Sequence, residues 1–204
     1  MNQYTRITLQ QGTPAWREWR RQGIGASDAP TIMGENPYKS RMALLSERRL
    51  PDHKDALNQA MAVGIKLEPH ARLHFFQTTG ISMEPACVQN STRDWLRASV
   101  DGLSSNGDRV LEIKCGRSAY QRTYQTGSPP HYYYGQLQHV LAVTGLDYID
   151  FLCFLPPCKP IHLTVKRNEE YIERLLEAHL EFWNLINSPS HSTGSNKDNT
   201  FLYA

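Results

Sequence analysis

Helical patterns and short β-rich runs alternate along this chain in an order that few folds accommodate. Helical periodicity covers residues 14–23 and 56–79, and a strongly amphipathic helix is predicted over 168–187. Five runs have the alternation and composition of β-strands, and they cover residues 81–88, 95–100, 110–115, 148–155 and 161–166. Further helical patterns lie within residues 117–145, between the third and fourth strands. This order predicts an α/β fold with one central, mixed five-stranded sheet flanked by helices.

Length and charge set broad limits on the protein. A chain of 204 residues can bury the core of one domain, which we assign to residues 1–187. Residues 188–204 are rich in Ser, Asn and Thr, a composition typical of a flexible tail. The chain has 22 Lys and Arg residues against 20 Asp and Glu residues, a net charge of +2. Attraction to nucleic acid therefore has to come from local clusters of basic residues.

The cysteine and targeting patterns favour a cytoplasmic protein. The N-terminal residues lack the charged start and apolar run of a signal peptide, and no stretch approaches the roughly 20 apolar residues of a membrane span. The four cysteines are scattered, and the spacing of Cys153 and Cys158, with two prolines between them, does not indicate a zinc knuckle. We therefore expect a soluble, unsecreted protein with reduced thiols and no membrane contact.

The run VLEIKC places two charged residues on one side of a strand. Because side chains alternate between faces, Glu112 and Lys114 project together. Alone, this pattern is more typical of a half-exposed strand than of an active site. Asp101, eleven residues before Glu112, is predicted to end the preceding strand at a Val-Asp-Gly turn, so that a hairpin brings the two carboxylates together. Neighbouring carboxylates repel each other unless a hard divalent cation such as Mg²⁺ binds them.

Glu68 is a third candidate carboxylate. It lies four residues after Gly64 and three before Ala71, on or beside the apolar stripe of the long helix. A buried carboxylate must be protonated, paired or bound to a metal, and an ion pair with Arg72 or Lys66 would also account for its position. With a metal, three carboxylates and a lysine suit phosphodiester hydrolysis, because the metal activates water and the lysine stabilises developing negative charge.

Five short segments carry a family resemblance. In chain order they are R-x-G-I-x-A-S at 21–27, G-x-x-x-E-x-x-A-R at 64–72, V-D-G-L at 100–103, L-E-I-K-C at 111–115 and Y-x-Q-x-Q at 134–138. Together they resemble the phage lambda exonuclease and YqaJ-like viral recombinase nucleases, which belong to the PD-(D/E)xK superfamily. Five ordered matches are far more specific than a single D…E-x-K pattern. The resemblance implies a restriction-endonuclease-like core.

The resemblance also implies roles for particular residues. Asp101 and Glu112 would be metal ligands, with Glu68 a further acidic ligand acting directly or through water and the main-chain carbonyl of Ile113 completing the shell. Lys114 would be the catalytic lysine. The implied cofactor is Mg²⁺, two ions per active site, with Mn²⁺ able to substitute.

A second group of residues is implied to bind the terminal 5′-phosphate of the strand being digested. By alignment these are Arg21, Ser27 and Gln136, and the spacing leaves Arg20 as an alternative to Arg21. Ser27 is also predicted to cap a helix, whose N-terminus would offer N–H groups to a phosphate. Met61 lies where the family has an apolar residue that helps to part the strands, although a core methionine is at least as compatible with the sequence.

The function implied by the resemblance is a Mg²⁺-dependent exonuclease. It would digest one strand of linear double-stranded DNA from the 5′ end to mononucleotides and leave 3′ single strands for phage-type recombination. The implied partners are DNA ends, two further copies of the chain in a homotrimeric ring and a single-strand annealing protein, in the cytoplasm of a bacterial host. Two alternatives stay open: a structure- or sequence-specific endonuclease with the same core, and a DNA-end-binding module without activity.

Overall fold

A computed structural model of the protein describes residues 3–50 and 59–188. The strands in this part of the chain are β1 (Tyr4–Ile7), β2 (Ile24–Gly25), β3 (Met83–Asn90), β4 (Leu96–Ser104), β5 (Val110–Lys114), β6 (Tyr148–Cys153) and β7 (Ile161–Lys166). The α-helices are α1 (Pro14–Arg21), α2 (Ala29–Ile32), α3 (Arg41–Arg49), α4 (Gln59–Thr79), α5 (Arg117–Thr126), α6 (His131–Thr144) and α7 (Glu169–Asn187). A 3₁₀ turn, Ala26–Asp28, precedes α2.

These strands form one mixed sheet in the order β1-β3-β4-β5-β6-β7, with β2 paired to β4 beside that path. The β5–β6 and β2–β4 pairs are parallel, and the other pairs are antiparallel. The predicted α/β class, the mixed sheet and all five predicted strands are confirmed. The predicted number of strands was too low, because β1 and β2 have only four and two residues and show no clear alternation.

Helices cover both faces of the sheet. On one face, Leu137 and Leu141 of α6 belong to the same buried cluster as Phe151 of β6. On the other face, Phe75 of α4 belongs to a second cluster with Leu152 of β6. Neighbouring residues of β6 therefore serve opposite faces, as alternation requires. The sheet fixes α4 and α6 on its two sides, with the C-terminal end of β5 between them.

A buried histidine pair anchors α6 to β4 and α7. The Nε2 atom of His139 lies 2.8 Å from the main-chain oxygen of Arg97 and therefore donates to it. The His139 Nδ1 atom lies 3.1 Å from Nε2 of His179 on α7, which fits a donor from His179. Burial lowers the pKa of His139 to about 4, and burial together with His139 lowers the pKa of His179. Both rings are neutral at pH 7.

The strand β4 contains a bulge where the sequence predicted a turn. Asp101 and Gly102 lie opposite the single residue Pro85 of β3. The prediction that Asp101 ends its strand was wrong, because β4 continues to Ser104 and the chain turns near Gly107, whose φ is +75°. Asp-Gly is a strong turn signal, and a bulge that uses the same residues cannot be distinguished from it in the sequence.

The strands β4 and β5 pair only over a short segment. Gly102 and Leu103 of β4 pair with β5, whereas Leu96 and Arg97 pair with β2. The first half of β4 and the last half of β5 are therefore not joined by ladder hydrogen bonds. This opening in the sheet positions the candidate site.

Two sequence predictions concern the limits of the chain. The predicted tail lies outside the described residues except for residue 188, and the single domain over residues 1–187 stays a prediction. In the described ranges, no helix has the length and apolar character needed to cross a membrane.

Candidate active site

The Asp101 carboxylate closes the opening between β4 and β5. Its Oδ2 atom accepts a hydrogen bond of 2.7 Å from the main-chain N–H of Ile113. A continuing β-ladder would have given this N–H a carbonyl partner, and the carboxylate takes that place. The bulge thus brings Asp101 to β5, as the sequence predicted, although by a different route from the predicted hairpin turn.

Glu112, Lys114 and Gln136 form a compact polar group beside Asp101. The Oε1 atom of Glu112 accepts hydrogen bonds from Lys114 Nζ and from Gln136 Nε2, each at 2.6 Å. Lys114 Nζ also lies 3.4 Å from Gln136 Oε1 and 4.5 Å from the ring centroid of Tyr133. Gln136 and Tyr133 both come from α6, so this helix holds the charged end of β5 in place.

Glu68 lies at the edge of this group, on α4. Its carboxylate is half-buried and 3.8 Å from the guanidinium of Arg72, one of the two ion pairs that the sequence left open. Arg72 also donates a hydrogen bond of 3.0 Å to the main-chain oxygen of Asp101. The pair therefore connects α4 to the bulge of β4.

Negative charge is in excess around these carboxylates. Burial and the charge of Glu112 raise the pKa of Asp101 well above its usual value, although Lys114 opposes the shift. Burial also raises the pKa of Glu68, with Arg72 opposing and Glu112 adding to the rise. Burial and the charges of Glu68 and Asp101 raise the pKa of the Cys115 thiol to about 12. Burial is the largest single influence on Lys114 and would favour its neutral form, but the charges of Glu112, Tyr133 and Asp101 together outweigh it and raise the pKa of this ammonium group.

The donor set fits a hard divalent cation. Asp101, Glu112 and Glu68 offer only oxygen atoms, and a cation would relieve their mutual repulsion. Among the residues that the structure describes, no three carboxylate, imidazole or thiol groups lie together as a metal-binding cluster. Mg²⁺ does not need one, because it typically binds one or two carboxylates and keeps water or phosphate in its other positions. The residues therefore fit an open Mg²⁺ site.

A pocket of about 170 Å³ adjoins the carboxylates. Its walls include the rings of Trp16 and Trp19 from α1. Its polar lining residues come from five separate segments and are Gln11, Arg20, Ser27, Arg97, Ser99 and Gln136. Gln136 belongs to both regions, since it lines the pocket and hydrogen-bonds to Glu112.

The structure brings Ser27 and Gln136 to the same pocket, and Arg20 of α1 reaches from there to the 3₁₀ turn. Arg20 donates a hydrogen bond of 3.0 Å to Ser27 Oγ, and its guanidinium lies 4.8 Å from the ring centroid of Trp16. Arg21 is not among the lining residues. The predicted capping role of Ser27 was wrong, because this residue lies inside the 3₁₀ turn and its Oγ is occupied by Arg20.

Some contacts were not predicted from the sequence. No sequence pattern indicated the contact between the Tyr133 ring and the Lys114 ammonium. Arg97 and Ser99 carried no signal, although their alternation on β4 is compatible with a shared side. Met61 lies in α4, but its side chain is outside the described residues, so its role as a strand-separating wedge stays a prediction.

Comparison with known proteins identifies the family. The model of the YqaJ-like viral recombinase domain matches residues 15–147, which include all four candidate catalytic residues. The chain belongs to this family. Uncharacterized protein YqaJ of Bacillus subtilis (strain 168) is 27% identical over 174 residues, covering 83% of this chain and 54% of that protein. Uncharacterized protein R354 of Acanthamoeba polyphaga mimivirus is 25% identical over 161 residues, 71% of this chain and 29% of its own length. This chain thus spans about half, or less, of these curated relatives.

Solved structures show the same fold. The alkaline exonuclease LHK-Exo of Laribacter hongkongensis matches with a TM-score of 0.76 and 25% identity, covering 85% of this chain and 92% of that chain. LHK-Exo in complex with dAMP matches with a TM-score of 0.75 and 28% identity over the same shares. A phage-related exonuclease from Haemophilus somnus 129PT matches with a TM-score of 0.61 and 13% identity, over 80% of this chain and 93% of that chain, which supports the fold alone.

Proposed function

We propose that this protein is a Mg²⁺-dependent 5′-to-3′ exonuclease that digests one strand of linear double-stranded DNA to mononucleotides. The observation that carries the proposal is the direct hydrogen bond between Gln136, in the pocket, and Glu112, in the carboxylate group. This bond supports the proposal because it joins the proposed anion-binding pocket directly to the proposed cation-binding site. That is the arrangement needed to hold a terminal phosphate while the next phosphodiester is hydrolysed.

In this mechanism each residue has a limited task. Asp101 and Glu112, with Glu68 at the edge and the Ile113 carbonyl, would hold Mg²⁺, two ions per site, with Mn²⁺ able to substitute. Bound Mg²⁺ polarises the phosphate and lowers the pKa of water. Lys114, kept charged by Glu112 and backed by the Tyr133 ring, would stabilise negative charge that develops on the phosphate oxygens. Gln136 would contact the terminal phosphate and also hold Glu112 in position.

The direction of digestion depends on the pocket. We assign terminal 5′-phosphate binding to Arg20, Ser27 and Gln136, with Arg20 replacing Arg21 from the alignment. Arg20 is oriented by Ser27 and by the ring of Trp16, so its charge is already placed before DNA binds. The relatives support this chemistry: LHK-Exo is an alkaline exonuclease solved with dAMP, a deoxynucleoside monophosphate of the kind such a reaction releases.

The assembly is also part of the proposal. We infer a homotrimeric ring that acts with a single-strand annealing protein to generate 3′ overhangs for recombination, in a bacterial host cytoplasm. One surface suits contact between copies: Ile65, Leu73 and Phe76 of α4 are 55%, 53% and 47% exposed at helical spacing. Light scattering coupled to size exclusion tests this assembly, and a monomer across the working concentration range would contradict it.

The first test of function compares linear and covalently closed circular duplex DNA, with separate 5′ and 3′ labels. Each substrate is incubated with Mg²⁺ and with EDTA. We expect release of the 5′ label as mononucleotide from linear DNA only, and only with Mg²⁺. Cutting of the circle would favour the endonuclease alternative, while DNA-end binding without cleavage in any condition would favour the binding module.

A further inference from the structure

A second arginine, Arg97, lines the same pocket as Arg20. Arg97 is only 8% exposed, which is unusual for a charged residue. Its Nε donates 2.8 Å to the main-chain oxygen of Asp94, and a terminal nitrogen donates to the main-chain oxygen of Trp19. Gly23 leaves the space that the Arg97 side chain occupies, since a Cβ there would lie 2.7 Å from Arg97 Cδ.

Nothing in the described part of the chain neutralises this charge by direct contact. Both hydrogen-bond acceptors of the Arg97 guanidinium in the described residues are neutral carbonyls, and Asp94 acts on it through space without an ion pair. Arg48 lies near enough to add positive charge. A buried cation without an anion is costly, and groups of this kind are retained where a ligand supplies the missing charge.

We propose that Arg97 supplies the second positive charge for the terminal 5′-phosphate, and that this pair of guanidinium groups makes the pocket select a phosphate monoester over a phosphodiester. The inference rests on the proposed function and names the chemical group that its pocket recognises. A terminal phosphate carries roughly two negative charges at neutral pH, whereas each internal phosphodiester carries about one. Arg20 alone would balance an internal phosphate, but Arg20 and Arg97 together match the monoester.

The placement of the two arginines fits a pocket that distinguishes a terminal phosphate from an internal one. Arg20 is partly exposed and reaches across Gly25 to Ser27, so it lies at the open side of the pocket. Arg97 is buried beneath α1, where it approaches Trp19 with its guanidinium 5.4 Å from the ring centroid. A phosphate group that reaches Arg97 must enter the pocket fully. Only a strand end can do so, because an internal phosphate is extended by nucleotides on both sides.

The test measures release of the first nucleotide in single turnover from two duplexes that differ only in a 5′-phosphate or a 5′-hydroxyl end. Wild-type protein is compared with R97Q and R97K. R93Q is the matched control, because Arg93 is exposed, four residues away and outside the pocket. We expect R97Q to lower the preference for the 5′-phosphate by about tenfold or more, the scale of one charge-assisted hydrogen bond. R97K should restore part of the preference, and R93Q should retain it.

A purely structural role for Arg97 predicts a different result. If R97Q slows both substrates by the same factor, or changes neither, the inference is wrong. Circular dichroism melting shows whether R97Q is folded. If it is not, R97M decides, because it keeps the long side-chain stem and loses the charge: a reduced preference in a folded protein supports the inference, and an unchanged preference overturns it.

Failure of the proposed function would give a separate signature. No digestion of either duplex by the wild type in Mg²⁺ would refute the exonuclease, and equal wild-type rates at both ends would overturn the phosphate assignment of Arg97. In the first case, titration with inorganic phosphate, followed by tryptophan fluorescence from Trp16 and Trp19, decides the role of Arg97 independently. Saturable binding that R97Q weakens and R93Q does not would support it, and no binding or equal binding would overturn it.

Discussion

The carboxylate group and the adjoining pocket have opposite charge and are built in opposite ways. Asp101, Glu112 and Lys114 lie on two neighbouring strands within fourteen consecutive positions, and two of them alternate on one short strand. The pocket instead takes residues from α1, the 3₁₀ turn, β4 and α6. In the proposed function the negative region binds a cation and the positive region binds an anion, and Gln136 contacts both regions. A DNA end together with Mg²⁺ would satisfy both regions at once.

The largest expected effect falls on the carboxylate side. Lys114→Ala should lower cleavage at least about 10²- to 10³-fold, the scale for losing one group that stabilises charge in a transition state. Asp101→Ala should have a comparable effect. DNA binding, measured by fluorescence anisotropy with Ca²⁺ in place of Mg²⁺, should change little because neither residue supplies most of the backbone affinity. Lys166→Ala, at an exposed position, is the control. Near-normal turnover in Lys114→Ala would refute the active-site assignment.

Gln136→Ala tests the connection between the two regions. It removes the 2.6 Å hydrogen bond to Glu112 as well as a pocket contact, so we expect a roughly tenfold or greater loss with both 5′-phosphate and 5′-hydroxyl ends. Gln125→Ala on the exposed side of α5 serves as the control. A loss confined to the 5′-phosphate end would show that Gln136 belongs to the pocket alone.

Ser27→Ala should act on the pocket only. We expect the rate with a 5′-phosphate end to fall by about three- to tenfold, since one neutral hydrogen bond and the orientation of Arg20 are lost. The rate with a 5′-hydroxyl end should fall less. Ser46→Ala, on the exposed surface of α3, is the control. Equal losses at the two ends, measured in the same single-turnover assay, would remove Ser27 from phosphate recognition.

The smallest effect concerns the support beneath the pocket. In the folded protein the pKa of His139 is lowered to about 4 by burial, so its contribution to stability is complete above pH 6.5 and is lost as the pH falls from there toward 4. We expect the lowered pKa of His139 to reduce the free energy of unfolding by on the order of 1 kcal/mol when the pH falls from 7.5 to 5.5. Urea denaturation at the two pH values measures it. His139→Gln should show a smaller pH dependence than wild type, and the exposed-site variant His131→Gln should not. An unchanged dependence in His139→Gln would contradict the prediction.

The same contrast explains what the sequence could predict. The proximity of Glu112 and Lys114 could be predicted because alternation along a strand fixes which residues share a side. Glu68 could be selected as a candidate because a carboxylate is unusual on or beside an apolar helical stripe. The pocket was reached only through family resemblance, since no local pattern relates Ser27 to Gln136, and a shift of one position separated Arg20 from Arg21. Arg97 could not be predicted, because its burial depends on the space that Gly23 leaves in the connection between α1 and β2.

The bulge opposite Pro85 also has a consequence for how this protein can vary. Pro85 has no N–H and therefore needs no hydrogen-bond acceptor from the irregular part of β4. Two residues of β4 can therefore lie opposite it. An insertion in β3 or a deletion in β4 that restored regular pairing would turn Asp101 to the opposite face of the sheet and away from Ile113. The position of a metal-ligand candidate is therefore fixed by the length of β3, a strand with no residue in the site. Insertions and deletions in β3 should be selected against as strongly as substitutions of the carboxylates.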